Sequence, residues 1–230
     1  MTNPYVQYAP PTAHQAHAYT GHGHHGYEPL GWKTTAAAIT IALTIPAQLA
    51  ANAALLASGP SLEEASPAAG LALVGAVVVV VGATILAAIF FLVWLNRAAK
   101  NVRAFGATGL QFTPGWCVGW WFVPFANLYK PFKAVQEVWR ASDPDAAGSA
   151  SDWLLRPAAP ALGAWWATWI VSGFLDRISG KIDDTQLSAT FGFASSFVSI
   201  VCAVLIISIM KKLAQRQELC WEKIMARRPL

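Results

Sequence analysis

The chain has 230 residues, 55% of them hydrophobic and only 12% charged, with a net charge of +4 and a positive mean hydropathy. Its apolar residues come in uninterrupted blocks, which excludes a soluble domain, and its bases sit beside those blocks rather than in a nucleic-acid footprint. Cys117, Cys202 and Cys220 are odd in number and far apart, which excludes a disulfide framework.

Residues 1–32 are rich in proline, glycine, tyrosine and histidine and show no apolar periodicity, so the composition predicts a disordered tail. All five histidines lie there, at 14, 17, 22, 24 and 25. Neighbouring imidazoles can chelate a metal, but nothing nearby supplies orienting partners, and no metal or cofactor is expected.

A membrane domain is expected over residues 33–213. Its first span is 34–58, with Pro46 removing a backbone donor and predicting a kink near Ala42. Asn52 is expected to make a helix–helix hydrogen bond. The segment lacks a basic stretch ahead of it, so it reads as a retained anchor rather than a signal peptide. A connection carrying Glu63 and Glu64 leads to the second span, 68–95. The third is 158–175, with Trp165, Trp166 and Trp169 clustered inside it. Residues 176–186 read as an outer loop, and the fourth span is 187–210. There Ser188, Gly192 and Ser196 form a small-residue stripe that permits close helix packing. Residues 214–230 are expected to form a basic cytoplasmic helix.

Residues 96–142 fit neither a span nor a soluble loop. A hydropathy window would make 112–132 a further crossing, yet Pro114, Pro124 and Pro131 break helix continuity and Asn127 adds a polar group. Charge decides the matter. If the segment does not cross, Arg97, Lys100, Arg103, Lys130, Lys133, Arg140 and Arg156 join Lys211, Lys212, Arg216, Lys223, Arg227 and Arg228 on one face. If it does cross, one cluster is stranded outside, against the positive-inside bias. The segment therefore reads as a re-entrant or interfacial hairpin. It leads into an amphipathic helix, 131–142, with Val135, Val138 and Trp139 on its apolar face and Lys133, Gln136, Glu137 and Arg140 pointing elsewhere.

The run RAAKNVRAFGATGLQFTPGWCVGWWFVPFANLYKPFKAVQEVWRAS resembles the signature of a bacterial, largely actinobacterial, membrane family, the domain of unknown function numbered 4328. The resemblance runs from Arg97, Ala98 and Asn101 through Phe112, Pro114, Trp116, Gly119, Trp120, Pro124, Asn127 and Lys130 to Glu137, Trp139 and Arg140. Cys117 stands at its variable position. The resemblance implies a four-span plan in a bacterial plasma membrane and lends no activity.

No catalytic constellation emerges. The membrane domain has no histidine, no phosphate-binding glycine loop, and no acid within an expected span. Glu137, Asp143, Asp145 and Asp152 are expected to be solvated, and Gly106, Gly109, Gly115 and Gly119 to serve turns and packing. If the aromatic turn folds back on the second span, Arg97, Asn101, Arg103, Asn127 and Lys130 would converge beneath Trp116, Trp120 and Trp121. Such a site would suit an anionic headgroup or small anion.

The expected fold is all-α, a polytopic membrane protein of four transmembrane helices with a cytoplasmic-side aromatic hairpin and both termini cytoplasmic. The expected function is a non-enzymatic component that associates with membrane lipids, a membrane-protein partner or a second copy, and not with nucleic acid. The alternative is a small-solute transporter component gated by the hairpin.

Overall fold

A computed structural model describes residues 26–59 and 66–227. Residues 1–25, 60–65 and 228–230 lie outside them, so the expectations for the histidines and for Arg228 concern residues outside the description, whereas the disordered tail expected over 1–32 is corrected at 26–32: Gly31 and Trp32 already belong to a helix, and Leu30 is buried against the bundle.

Six α-helices carry the described chain: α1 (Gly31–Ala57), α2 (Pro67–Ala104), α3 (Pro114–Gly119), α4 (Lys130–Ala141), α5 (Pro160–Ser179) and α6 (Thr185–Ala226). Short 3-10 turns cover Trp120–Phe122, Ala126–Leu128 and Asp152–Leu155. The helix starts follow local chemistry. Ser66 and Thr113 accept from the amides of Ala69 and Trp116, each with proline next in the chain, and Asp184 accepts from Leu187 N–H at 2.7 Å.

The molecule is an all-α polytopic membrane protein, and among the described residues three helices, not four, are long and apolar enough to cross: α1, α2 and α6. The third expected span does form a helix, α5, and its 20 residues would reach about 30 Å at the α-helical rise. However, Trp165, Trp166 and Trp169 and the Asp176–Arg177 pair dilute its apolar character, and Asp176 belongs to its last turn rather than to a loop.

Two boundaries are corrected in the same way. α2 continues past the expected end at residue 95 to Ala104, because Arg97, Lys100 and Arg103 are good helix formers and nothing before Gly106 stops them. α6 runs unbroken through residues 211–226, so the basic C-terminal helix is its continuation, not a separate element. Pro46 sits inside an unbroken α1.

α1 and α2 form one antiparallel pair and α5 and α6 another, with α1 also packed along α6. Asn52 donates to Ser196 at 3.0 Å, as expected of it, and a Cβ on Gly192 would stand 2.5 Å from its oxygen. Ser188 and Ser179 exchange hydrogen bonds, and Ser195 donates to the Ser172 carbonyl. The small-residue stripe thus meets both neighbours.

The buried core gathers at the end of the bundle that carries the 105–159 segment. Trp94, Leu95, Ala98 and Val102 of α2 meet Val135 and Val138 of α4 and Ile209, Met210 and Leu213 of α6. Towards the other end the long helices expose Leu71, Val74, Val78 and Ile85 of α2 and Phe197 and Val204 of α6, an apolar surface suited to lipid.

Candidate functional site

The 105–142 segment leaves α2 and returns to the same end of the bundle. Gly106 (φ 93°) and Gly109 (φ 69°) make the turn after α2 in left-handed backbone that a side chain would strain. Two clamps then close it. Arg103 donates to the Ala99 carbonyl at 2.7 Å and to the Phe112 carbonyl at 2.6 Å. Glu137 reaches across from α4 and accepts from the amides of Gln111 at 2.7 Å and Phe112 at 3.2 Å. Glu137 was expected to point to solvent; it is buried, and so is corrected to a strut of the hairpin. Burial pushes its carboxyl pKa up, and the two amide hydrogen bonds and nearby Arg103 offset only part of that rise.

Between the clamps, α3 and two 3-10 turns present the aromatic residues in two groups. Trp121 turns inward, edge-on to Phe91, Trp166 and Trp169, and Trp166 donates to the Leu128 carbonyl at 3.0 Å. Trp116 and Trp120 lie on the outside with ring centroids 4.7 Å apart, and Lys130 Nζ stands 5.5 Å above Trp120 and 6.0 Å above Phe112. Lys133 stands over Tyr129. At the tip, Phe122 is 73% exposed and Phe125 88% exposed. Phe125 has φ 61°, a left-handed conformation that costs a bulky residue strain.

The anion site expected from sequence does not assemble as one pocket. Arg97 and Asn101 share a helix face, Arg97 Nε donating to Asn101 Oδ1 at 3.0 Å, but they turn to the chain before α1. Arg97 pairs with Glu28 at 3.2 Å and donates to the Gly26 carbonyl. Asn101 accepts from Glu28 N–H at 3.2 Å and donates to the Glu28 carbonyl at 2.9 Å and Gln217 Oε1 at 2.8 Å. Arg103 is committed to backbone carbonyls. Only Trp116, Trp120 and Lys130 stay together on an exposed face. Asn127 is half-buried, and its backbone amide donates to Val123.

The residue that sequence reasoning missed is Gln217. It is fully buried and donates to Ser142 Oγ at 3.0 Å and to the Ala98 carbonyl at 3.1 Å, tying α6 to α2 and α4. A signal existed: Met210, Leu213, Gln217, Cys220 and Ile224 fall on one stripe at helical spacing. Glu28 was missed too; it also binds Lys33, whose hydrogen bond holds the Glu28 carboxyl below its usual range. Tyr27 stacks on Trp221 at 4.8 Å, and burial, with Glu218 nearby, pushes its phenol up to about 12. Asp143 was expected in solvent and instead pairs with Arg216 at 2.8 Å. Asp145 pairs with Lys223 at 2.9 Å at the surface.

The family model described as "Domain of unknown function (DUF4328)" matches residues 56–215, well over half of the chain. The chain belongs to the DUF4328 family. The DUF4328 match takes in α2, the aromatic hairpin, α4, α5 and most of α6. Glu28, which ties the chain before α1 to Arg97 and Asn101, and Gln217, which ties α6 to α2 and α4, fall outside it. No curated protein and no solved structure matches the chain. Among the described residues no three of His, Cys, Asp or Glu gather as metal ligands, and no catalytic arrangement is evident. Cys117, Cys202 and Cys220 are free and buried.

Proposed function

We propose that this protein is a non-enzymatic membrane component that engages anionic phospholipid through its aromatic hairpin. The observation that carries the reading is the exposed tip: Phe122, Phe125, Leu128 and Tyr129 project beside a Trp116–Trp120 pair capped by Lys130. Large apolar side chains left bare beside a lysine suit the boundary where acyl chains meet headgroups. In this reading α5 is a fourth crossing. Its hydrogen bonds to α6 run from Ser179–Ser188 through Ser172–Ser195, and an antiparallel neighbour of a spanning helix lies at the same depth. Both termini, and the hairpin, then face the cytoplasm of a bacterial cell, as the positive-inside bias favours.

The test places a spin label at residue 125 of the full chain in bilayers. Collision with oxygen well above that with a water-soluble nickel chelate is expected, and a water-like ratio overturns the reading. Lys130→Gln should also lower the preference of the purified protein for phosphatidylglycerol over phosphatidylcholine.

A further inference from the structure

We infer a site for a phospholipid with an ethanolamine headgroup in the groove between α1 and α6. None of its lining residues belongs to the aromatic hairpin, so it stands or falls apart from the reading above.

α1 and α6 pack side by side, yet they leave a groove of about 580 Å³ between them, within the range of about 300–1,000 Å³ in which small ligands are held. Side-chain size is the cause. Ala38 and Ala42 line the groove from α1 and Ala214 from α6, where longer side chains would close it. At the end nearer the start of α1, Gly31 offers no side chain, and a Cβ built there would meet open space.

The lining changes character along its length. Counted along both helices from the Asn52–Ser196 hydrogen bond, Ala42 comes about level with Ile207, Ala38 with Lys211, and Gly31 with Glu218. The deeper part, Ile39, Ala42 and Ile207, is apolar and suits an acyl chain. Lys211 follows Met210, where the apolar run of α6 ends, and Glu218 stands further out on the same helix face, about 10 Å away at the helical rise. Lys211, Gln215 and Glu218 are exposed. Among the described residues neither the lysine nor the glutamate enters an ion pair.

The order of charges names the headgroup. A base beside the hydrocarbon with an acid outside it is complementary to a phosphate followed outward by a cation. The Lys211 stem lies along apolar surface while its ammonium reaches outward to the phosphate, which narrows the gap to Glu218. Gln215, between the two charges, adds an amide donor. A headgroup that is only anionic meets repulsion at Glu218. Choline brings a methylated cation with no hydrogen to donate, whereas the primary ammonium of ethanolamine donates charge-assisted hydrogen bonds to a carboxylate.

The test offers the full chain in detergent equal amounts of phosphatidylethanolamine and phosphatidylcholine with identical acyl chains, and counts retained lipid by native mass spectrometry. The wild type should prefer the ethanolamine lipid about tenfold, the effect of one charge-assisted hydrogen bond. Glu218→Gln should abolish that preference while leaving phosphatidylcholine retention unchanged. Lys211→Gln should lower retention of both lipids alike, because both carry the phosphate. Ala42→Trp, which fills the deeper groove, should displace both. Lys211 and Glu218 are exposed and unpaired, so their variants should keep the lipid-free unfolding midpoint of the wild type. Equal retention of the two lipids by the wild type overturns the site. So does a preference that survives Glu218→Gln or Ala42→Trp, or one that Lys130→Gln removes, since that would place it at the hairpin.

Discussion

At the residue scale, two buried polar side chains hold the loop end of the bundle. Glu137 has its pKa raised from an ordinary 4.5, so the folded chain binds that proton more tightly than the unfolded chain does. Its contribution therefore favours the fold below the ordinary value and is lost as pH rises through the folded one. Glu137→Gln leaves one hairpin amide without its acceptor, at a cost of about 1 kcal/mol or more in acid. The stability gap between wild type and variant should narrow as pH rises through this window, which denaturant unfolding in detergent at a series of pH values will read. A gap that is constant with pH would show that Glu137 does not titrate with folding. Gln217 is the other case. Gln217→Leu leaves Asn101 and Ser142 short of partners inside the core and should destabilise by about 1–3 kcal/mol, read as a lowered unfolding midpoint. Gln217→Glu should cost more, because it buries a charge.

At the element scale, packing of α6 on α1 depends on Gly192, where a Cβ would collide with the Asn52 amide. Gly192→Ala should therefore separate the helices and lower stability, while Asn52→Ala/Gly192→Ala should recover part of the loss, since the colliding group is gone. Additive losses would place the fault elsewhere. The hairpin tip behaves in the opposite sense. Phe125 is exposed and left-handed, so Phe125→Gly should relieve about 1 kcal/mol of strain in detergent while weakening interaction with bilayers. A residue kept in a strained backbone with almost no protein contact is consistent with a role outside the fold itself.

At the scale of the whole molecule, both flanks of the aromatic segment are bonded to one end of the bundle, through Arg103 and Glu137. Cysteines placed at the exposed Lys100 and at Lys133 should react from one side of the membrane, and one at the exposed Lys181 from the other. The native thiols are buried, so labelling by an impermeant reagent in intact cells has a low background. Opposite accessibility of residues 100 and 133 would remove the non-crossing hairpin.

Much of this was written in the chain. Long apolar blocks dictate helices because a bilayer leaves backbone groups no partner but their own segment, and the prolines at 114, 124 and 131 interrupt the central stretch whatever surrounds it. The Asn52 contact and the small-residue stripe were legible for the same local reason. What tertiary structure alone decided was which polar side chains meet. Arg97 and Asn101 share a face by helical spacing, but that spacing is blind to Glu28 and Gln217, which lie 73 and 116 residues from Asn101 along the chain and take up its hydrogen bonds. The same holds for Asp143 and Arg216, again 73 residues apart. Periodicity reports which face of a helix is apolar; the partner of a buried donor is set by how helices distant in sequence pack, and it is that packing which turned Arg97 and Asn101 away from Trp116, Trp120 and Lys130.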